Sequence, residues 1–253
     1  MELIKSKSNK LIKSITKLIS DKKYRDETFC FVAETCKVVN DLIASGIKCR
    51  NLIIAHTSKY LSKFQGLKDI DISVVDDDVF KSFSSLATSD GVCGIFIKVK
   101  TKFVYSQEGK YVVLDRIQNP GNLGTIIRTC VCFGITGIVI TNDSVDIYNP
   151  TTIRSSMGSC FAIPILVSTS LSDEIKKMQS NKIKVYATML SKEAKKLNDV
   201  VFDKGTAVIF GNEGKGLEPS EIKAVDESIY IPITNKTDSL NVSIAAGIII
   251  SRM

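Results

Sequence analysis

Helix-like and strand-like hydrophobic patterns alternate along the first 100 residues. Apolar side chains recur at helical spacing between positions 11 and 19, with lysines between them, which predicts an amphipathic helix. Further helices are predicted at residues 36–44, 59–64 and 80–86, the last beginning after acids that suit a helix N-terminus. Strands are predicted at residues 28–33, 51–55, 72–75 and 94–99. Together these elements predict a small α/β domain in residues 1–100.

The second half carries nearly continuous apolar runs, which predict strands at residues 111–114, 137–140, 184–187, 206–210 and 228–233. Helical patterns lie between most of these strands, at residues 123–133, 151–159, 172–180 and 240–252. Unbroken apolar strands that alternate with helices are typical of a parallel sheet covered on both faces. The polar stretch at 101–110 (TKFVYSQEGK) is interpreted as a linker, so that residues 111–253 are predicted to form a second α/β domain.

The composition is that of a folded protein with a basic bias. Of the 253 residues, 44% are hydrophobic, Trp is absent and only 5 are Pro, which excludes a disordered or collagen-like chain. The formal net charge is +7, and residues 1–25 carry eight basic and only two acidic side chains. An ordinary solvated helix face explains this cluster as well as a nucleic-acid contact does. From it we select Lys7, Lys10 and Arg25 as candidate nucleic-acid contacts.

The seven cysteines predict free thiols in a reducing compartment. Their number is odd, no CxxC pair occurs and most lie inside apolar runs, so that neither a disulfide framework nor a metal site is expected. Cys130 and Cys132, on one predicted helix, are interpreted as core thiols. No apolar segment follows the N-terminal lysines and no apolar run approaches about 20 residues, so that we expect a cytoplasmic protein without a signal peptide or a membrane span.

Three polar loops follow predicted strands of the second half. They are DRIQNPGNLGTIIR (115–128), GNEGKGL (211–217) and TNKTDSLN (234–241). Because ligands of open parallel sheets bind beyond the carboxyl ends of the strands, the edge where these loops meet is the candidate ligand site.

Each loop also has a purely structural interpretation. The segment NPGNLG fits a turn with a helix cap, because Asn, Pro and Gly are turn residues for local steric reasons. GNEGKGL allows close backbone approach to a ligand, but it matches neither the P-loop nor the GxGxxG pattern. Ser239 or Asn241 could simply cap the last helix. The single histidine, His56, lies in the first half, which excludes a histidine base in the second.

In this order, the three loops resemble the three signature motifs of the SpoU/TrmH family, which belongs to the SPOUT methyltransferases. NLGTIIR (122–128) is similar to the first motif, IFGNEGKGL (209–217) to the second, and IPI at 231–233 with SLNVSIAAG at 239–247 to the third. YNPTTIRSSMG (148–158) resembles a further family stretch and contains Arg154, a fourth candidate RNA contact. FVAE (31–34) and DGVCG (90–94) are similar, less specifically, to the family's ribosomal-protein-like substrate-binding domain.

The resemblance implies a parallel-sheet domain tied in a deep trefoil knot, a homodimer, and S-adenosylmethionine as the cofactor bound in the knot. General topology rules alone would not propose a knot. The activity that it implies is methyl transfer to a ribose 2′-hydroxyl of RNA, with ribosomal RNA as the first candidate and transfer RNA as the second. The implied cofactor-binding residues are Thr188, Met189, Gly211, Asn212, Gly216, Ile231 and Leu240.

The resemblance also implies which side chains carry the reaction. Arg128 is expected to orient and stabilise the reacting oxygen, since a guanidinium is normally locked in its protonated form and is a poor base. The residues expected to position Arg128, the substrate or the cofactor are Asn122, Glu213, Ser239 and Asn241. Three rival hypotheses are a SPOUT relative that methylates a base nitrogen, a non-catalytic RNA-binding protein, and a Rossmann or P-loop module, which the missing fingerprints disfavour.

Overall fold

The computed structural model describes residues 3–64, 66–67, 70–189, 194–234 and 238–253. Contacts divide the chain into two compact units, each with one β-sheet. The first unit comprises Met1–Lys100 and Tyr148–Gly158, and the second comprises Thr101–Ile147 and Ser159–Met253. The first unit therefore includes a short segment that lies, in sequence, within the second.

Helices and strands alternate through most of the described residues. The helices are α1 (Lys10–Ser20), α2 (Lys22–Thr28), α3 (Cys36–Ala44), α4 (Leu61–Phe64), α5 (Asp77–Phe83), α6 (Pro120–Cys132), α7 (Pro150–Ser155), α8 (Leu171–Ser180), α9 (Pro219–Ala224) and α10 (Val242–Ile250). The strands are β1 (Cys30–Glu34), β2 (Cys49–Ala55), β3 (Asp71–Val75), β4 (Val92–Ile97), β5 (Lys110–Leu114), β6 (Gly137–Thr141), β7 (Ile165–Ser168), β8 (Lys184–Thr188), β9 (Lys195–Lys196), β10 (Thr206–Phe210) and β11 (Glu227–Tyr230).

The first unit has a four-stranded mixed sheet of order β1-β4-β2-β3. β4 is antiparallel to both of its neighbours, and β2 is parallel to β3. Apolar residues of α1 and α5, including Ile15 and Phe80, pack against strand residues such as Val32 and Ile53 in one core. The helix predicted from the periodicity at 11–19 is confirmed as α1, whose polar face carries the lysines.

Helix α2 was not predicted, and local capping explains it. The side chain of Asp21 accepts hydrogen bonds from the main-chain amides of Lys23 and Tyr24, which starts α2 directly where α1 ends. At its other end, the C-cap residue Phe29 adopts a left-handed φ of 54°. A seven-residue helix whose one largely hydrophobic side chain is that of Tyr24 leaves little periodic signal in the sequence.

Helix α7 belongs to the first unit, where it packs against β1. The ring of Tyr148 lies against the ring of Phe31 with centroids 5.2 Å apart, and its hydroxyl donates to the main-chain oxygen of Val99. Arg154 donates to the hydroxyl of Ser85 at 3.2 Å. The helix predicted at 151–159 is thus present, but it ends at Ser155.

The second unit has a seven-stranded sheet of order β7-β6-β5-β10-β8-β11-β9, in which every adjacent pair is parallel. The predicted parallel sheet is confirmed. α8 and α9 pack on one face of this sheet, whereas α6 and α10 pack on each other. The edge strand β7, the short strand β9 and helix α9 were not predicted. Val167 in β7 is 54% exposed and α9 has no buried residue, so β7 and α9 show no pattern of buried positions.

The polar stretch interpreted as a linker is packed onto the second unit. The rings of Phe103 and Tyr105 lie against the ring of Tyr111, with centroids 6.1 Å and 5.3 Å away. The hydroxyl of Tyr105 donates to Oε2 of Glu174, a buried carboxylate of α8, at 2.6 Å. These aromatic residues give the segment a fixed place beside β5.

Cysteine burial follows the prediction with one exception. Six of the seven free thiols are buried, but Cys132 is exposed, so its interpretation as a core thiol is wrong. Residues two apart on a helix point to different faces, and only Cys130 lies on the buried face of α6. In the described ranges, no helix has the length and apolar character needed to cross a bilayer, and no cluster of His, Cys, Asp or Glu is arranged to bind a metal.

Candidate functional site

A cavity of about 560 Å³ lies at the carboxyl ends of β8, β10 and β11 in the second unit. The loop after β10 and the segment after β11 form much of its wall. All seven residues predicted to bind the cofactor line it: Thr188, Met189, Gly211, Asn212, Gly216, Ile231 and Leu240. Residues 235–237, which belong to the third polar loop, lie outside the described residues.

The loop at 211–217, which we call the cavity loop, folds back on itself through its glycines. A Cβ atom on Gly211 would lie 2.6 Å from the carbonyl carbon of Gly216 and 2.8 Å from the main-chain nitrogen of Leu217. No other residue type fits at this position without moving the backbone. Gly216 itself has a φ of +66°, a left-handed conformation that glycine adopts freely.

Asn212 holds the turn of the cavity loop from inside. Its Oδ1 accepts hydrogen bonds from the main-chain amides of Gly214 and Lys215, at 3.0 Å and 2.9 Å. Its Nδ2 donates to the main-chain oxygen of Arg116, 2.8 Å away, at the end of β5. The cavity loop is therefore tied to the loop that follows the neighbouring strand.

A chain of hydrogen bonds joins the three polar loops beside the cavity. Nδ2 of Asn241 donates to Oδ1 of Asn122 at 3.1 Å, and Nδ2 of Asn122 donates to Oε1 of Glu213 at 3.2 Å. These residues come from the starts of α10 and α6 and from the cavity loop. We call this chain the amide–carboxylate junction. Sequence reasoning predicted that the loops would meet, and these contacts bring three of the five predicted catalytic side chains together.

Glu213 is also bound by the main chain of the first loop. Its carboxylate accepts hydrogen bonds from the amides of Gln118 and Asn119, at 3.1 Å and 3.2 Å. Partial burial alone would raise the pKa of Glu213, but hydrogen bonds from its own main-chain amide, from the amides of Gln118 and Asn119 and from Asn122 outweigh it and hold the pKa below the ordinary value of 4.5. The side chain is therefore a carboxylate at neutral pH.

Each asparagine at the start of a helix has a capping role as well. Oδ1 of Asn119 accepts from the amides of Gly121 and Asn122, and Pro120 occupies the first turn of α6. Oδ1 of Asn241 accepts from the amide and the hydroxyl of Ser243. The purely structural interpretation of the NPGNLG and SLN segments as helix caps is thus confirmed, and it coexists with the junction.

The other two predicted catalytic residues occupy different places. Ser239 is an exposed residue of the cavity lining. Arg128 lies on α6, about 9 Å along the helix from Asn122, and is exposed outside the lining. Within the described part of the chain, the guanidinium of Arg128 makes no hydrogen bond or ion pair.

The four predicted RNA contacts differ in exposure. Lys7 and Lys10 are exposed. Arg25 is only 3% exposed, and its Nη1 donates to the main-chain oxygens of Leu18 and Ile19 at 2.8 Å and 3.2 Å. The assignment of Arg25 to RNA binding is therefore corrected, because its guanidinium binds the free carbonyls at the end of α1 and a phosphate cannot reach it.

Arg154, the fourth predicted RNA contact, is half-buried in the first unit. Its guanidinium donates to the hydroxyls of Ser85 and Thr151, at 3.2 Å and 3.5 Å. Ser85 in turn binds the buried carboxylate of Glu34. RNA contact by Arg154 remains a prediction.

Sequence reasoning missed the main-chain part of the junction and Arg116, which lies two residues before it. Gln118 and Asn119 were given no role, although their amides bind Glu213. Arg116 was also passed over, although Asn212 binds its main-chain oxygen. Main-chain donors leave no side-chain signal, and for Arg116 the available signal was its place two residues after a buried strand.

Comparison with known proteins places this geometry in a family. The model of the SpoU rRNA methylase family matches residues 109–251, more than half of the chain. The chain belongs to the SpoU rRNA methylase family. A second model, that of the MRM3-like substrate binding domain, matches residues 9–94. The resemblance drawn from the three loops is confirmed.

Two proteins that are similar to this chain over nearly its full length are named as ribosomal RNA methyltransferases. The chain is 28% identical over 250 residues to the 23S rRNA (guanosine(2553)-2′-O)-methyltransferase RlmP of Bacillus subtilis, covering 99% of this chain and 98% of that protein. A crystal structure of an AdoMet-bound rRNA methyltransferase from Sinorhizobium meliloti is 31% identical, with a TM-score of 0.85, and the match covers 98% of this chain and 95% of that one. A tRNA (guanosine(18)-2′-O)-methyltransferase of Thermus thermophilus is 32% identical over 139 residues, covering 55% of this chain and 71% of that protein.

Proposed function

We propose that this chain transfers a methyl group from S-adenosylmethionine to a ribose 2′-hydroxyl of RNA, with ribosomal RNA as the substrate class. The observation that carries the proposal is the amide–carboxylate junction, in which Asn122, Glu213 and Asn241 meet beside a cavity that the loops of Glu213 and Asn241 help to build. The full-length similarity to RlmP favours ribosomal RNA. Transfer RNA is a second candidate, since the tRNA relative matches only part of the chain.

The cavity fits an adenosyl group. Its volume of about 560 Å³ lies within the range of about 300–1,000 Å³ that is usual for small-molecule sites. Apolar side chains such as Leu217, Ile229 and Ile249 line it, and the glycines of the cavity loop expose main-chain groups to it. An apolar slot with main-chain donors and acceptors suits adenine. Among the predicted residues, Gly211, Ile231 and Leu240 would hold the cofactor through main-chain groups, with Thr188 and Met189 beside it.

The chemistry divides between positioning and charge stabilisation. When bound, S-adenosylmethionine supplies a methyl group on a sulfonium that leaves as a neutral thioether, so the protein need not protonate a leaving group. The proton of the 2′-hydroxyl would pass to water as the new O–CH₃ bond forms. The junction fixes the starts of α6 and α10 against the cavity loop, and such fixed geometry contributes much of the rate of a bimolecular transfer. Asn122, Ser239 and Asn241 supply polar groups that can orient the ribose.

Arg128 carries the charge stabilisation in this proposal. Its exposed guanidinium is a donor and not a base, so it would bind the 2′-oxygen as negative charge develops there. Arg128→Ala should reduce methyl transfer by at least about 100-fold and leave the dissociation constant of S-adenosylmethionine within about twofold. Lys204→Ala removes another exposed cation of the second unit and is the control. Equal transfer by the Arg128 variant and the parent would refute this role.

The first unit is proposed to hold the RNA. It matches a substrate-binding domain model, and Lys7 and Lys10 belong to its basic N-terminal segment. Lysines near phosphates would make RNA binding salt-dependent, because bound counterions are released. Arg154 is half-buried, and we keep it among the proposed RNA contacts.

A trefoil knot in the second unit forms part of the proposal. Strands β8, β10 and β11 are neighbours out of chain order, and the cavity loop and the segment that follows β11 line the same cavity. A knot of this kind requires one of these segments to pass through a loop formed by another. An experimental structure tests the knot: the traced backbone, drawn out from its two ends, should fail to open into a simple curve.

A homodimer is also proposed, with α10 in the interface. Ile244 and Ile248 lie one helical turn apart and are 55% and 38% exposed. The remaining residues of α10 are small, apolar or a serine, so these two isoleucines form part of an exposed apolar face. Light scattering should give twice the mass of one chain for the parent and the mass of one chain for Ile244→Glu with Ile248→Glu. Val201→Glu, at a valine that is 79% exposed, is the control.

One assay separates the proposed reaction from its rivals. Purified protein is incubated with methyl-labelled S-adenosylmethionine and unmethylated ribosomal RNA, and the RNA is digested to nucleosides. Label on the ribose supports the proposal, whereas label on a base supports base methylation. RNA binding without measurable S-adenosylmethionine binding in calorimetry supports a non-catalytic RNA-binding protein. Transfer to transfer RNA alone would move the substrate class from ribosomal to transfer RNA.

A further inference from the structure

A cluster of four charged side chains stands beside the cavity loop. Arg116 follows β5, and its guanidinium forms ion pairs with three carboxylates. Nε lies 2.6 Å from Oδ2 of Asp115, Nη1 lies 3.0 Å from Oε1 of Glu218, and Nη2 lies 2.7 Å from Oε2 of Glu221. The Arg116 side chain is 24% exposed and that of Asp115 only 3%, so this cluster is partly shielded from solvent.

Arg116 binds the cavity loop at both of its ends. Its main-chain oxygen accepts from Nδ2 of Asn212, near the beginning of the loop. Its Nη2 approaches the main-chain oxygen of Gly216 at 3.5 Å, and Nη1 binds Glu218, which follows the loop directly. The same residue therefore fixes the first and last turns of the loop relative to β5.

The backbone at Arg116 is held in an uncommon conformation. Its φ is +53°, in the left-handed region that residues with a Cβ atom seldom occupy. Its amide donates to the hydroxyl of Thr141, and its oxygen also accepts from Nε2 of Gln118. A conformation of this kind persists where several surrounding contacts fix it.

The identity of the side chain matters as much as its place. A guanidinium presents five N–H donors in a planar fork, whereas an ammonium presents three from one point. Only the fork can serve Asp115, Glu218 and Glu221 together while also facing the oxygen of Gly216. Burial alone would lower the pKa of Arg116, but the three carboxylates outweigh it and raise the pKa, so the side chain stays charged.

We propose that Arg116 is a positioning residue of the cofactor site, which holds the cavity loop in the conformation that binds S-adenosylmethionine. The inference rests on the proposed function for the identity of the ligand. The loop contains three glycines, Gly211, Gly214 and Gly216, and without restraint it would sample many conformations. Binding would then have to order it, which weakens affinity. Removal of the Arg116 interactions should therefore weaken cofactor binding and not slow transfer at saturation.

The test uses two variants that keep Asp115 paired. Arg116→Lys retains the charge without the fork, and Glu218→Gln with Glu221→Gln leaves Arg116 and Asp115 intact. The control is Glu227→Gln, which removes two ion pairs, with Lys184 and Lys195, at the amino ends of the strands. For each protein we would measure the dissociation constant of S-adenosylmethionine by calorimetry, hydrogen exchange of amides 212–217 without cofactor, and steady-state kinetics.

Both test variants should bind S-adenosylmethionine about tenfold more weakly, equivalent to about 1.4 kcal/mol, with faster exchange in the cavity loop. Their kcat and their KM for RNA should match those of the control. Unchanged affinity and exchange, or a loss of kcat with unchanged affinity, would overturn the positioning role. If the parent fails to bind S-adenosylmethionine, the proposed function fails, but faster exchange in both variants still supports Arg116 as the restraint on the loop.

Discussion

Replacing Glu213 by Gln removes the charge at the centre of the amide–carboxylate junction and leaves the side chain its size. In the parent, Oε1 accepts from the amide of Asn119 and from Nδ2 of Asn122, and Oε2 accepts from the amide of Gln118. Glutamine has one oxygen and one NH₂ group, so it can accept on one side only. On the other side its NH₂ group must face a donor. The substitution therefore removes at least one hydrogen bond and weakens the rest.

The size of the effect follows from these contacts. A hydrogen bond to an ionised acceptor contributes about 1.5–3 kcal/mol, and less where water competes for it. Because Glu213 is exposed, we take about 1.5–3 kcal/mol for the whole junction and not for each bond. At about 1.4 kcal/mol for each factor of ten, kcat/KM should fall roughly 10- to 150-fold. The loss belongs to catalysis if the junction positions the reacting groups.

The effect on stability should depend on pH in a defined direction. Burial would raise the pKa of Glu213, but its hydrogen bonds lower it below 4.5 in the folded protein. A carboxylate with a lowered folded-state pKa contributes its full stability above the unfolded-state pKa and loses it as the pH falls through the folded-state value. The difference in unfolding free energy between parent and Glu213→Gln should therefore be constant between about pH 6 and 8. It should shrink only below the ordinary glutamate pKa of 4.5.

The assay is methyl transfer to ribosomal RNA at several RNA concentrations, together with urea unfolding at each pH. Glu108→Gln is the matched control, because Glu108 is an exposed glutamate of the same unit whose carboxylate pairs with Lys204, away from the junction. A Glu213 variant that keeps parental kcat/KM within twofold would show that the junction does not position the reaction. A stability difference that changes between neutral and mildly alkaline pH would contradict the assigned ionisation.

Three further predictions test the loops and the RNA surface. Asn241→Asp keeps the acceptor that caps α10 but removes the donor to the first loop, so methyl transfer should fall about tenfold while the melting temperature changes little. Gly211→Ala places a Cβ atom 2.6 Å from the carbonyl carbon of Gly216, which should lower the melting temperature by roughly 2–10 °C in calorimetry and weaken cofactor binding. Lys7→Gln with Lys10→Gln should reduce the slope of log affinity for RNA against log salt by roughly 0.7–0.9 for each phosphate that a lysine no longer neutralises, and an unchanged slope would remove both lysines from the RNA surface.

The parts of the fold that the sequence could predict are those set by local pattern. Apolar runs predicted β5 and β10 because each of these strands is buried on its two faces. Strong helical periodicity predicted α1. The short elements α9 and β7 escaped because few of their side chains are buried. Burial against the rest of the fold is the signal that such patterns record, so an element with little burial leaves little pattern.

The membership of a segment in one core or another is a different problem, because it depends on tertiary contacts. The helical pattern at 151–159 was visible, but nothing in it indicated that Tyr148 would pack on Phe31 of the first unit. Arg25 shows the same limit in a single side chain. In the sequence it is one more cation among the N-terminal lysines. Only the fold brings it to the main-chain oxygens at the C-terminal end of α1. Charge in a sequence predicts a possible partner, whereas burial decides whether that partner is RNA or the protein itself.

The candidate site combines both situations, which explains why part of it was predictable. Within each loop, the glycine turns and asparagine caps are determined by the local sequence. Parallel strands place the loops that follow them at the same edge of the sheet. That reasoning brings Asn122 near Asn241, which is 119 positions away in the sequence. It does not determine which atoms bind, and it gives no role to Arg116, whose partners come from the end of the cavity loop and the start of α9. If the variants behave as expected, those of Arg116 will weaken cofactor binding without slowing methyl transfer at saturation, whereas the variant of Glu213 will slow methyl transfer.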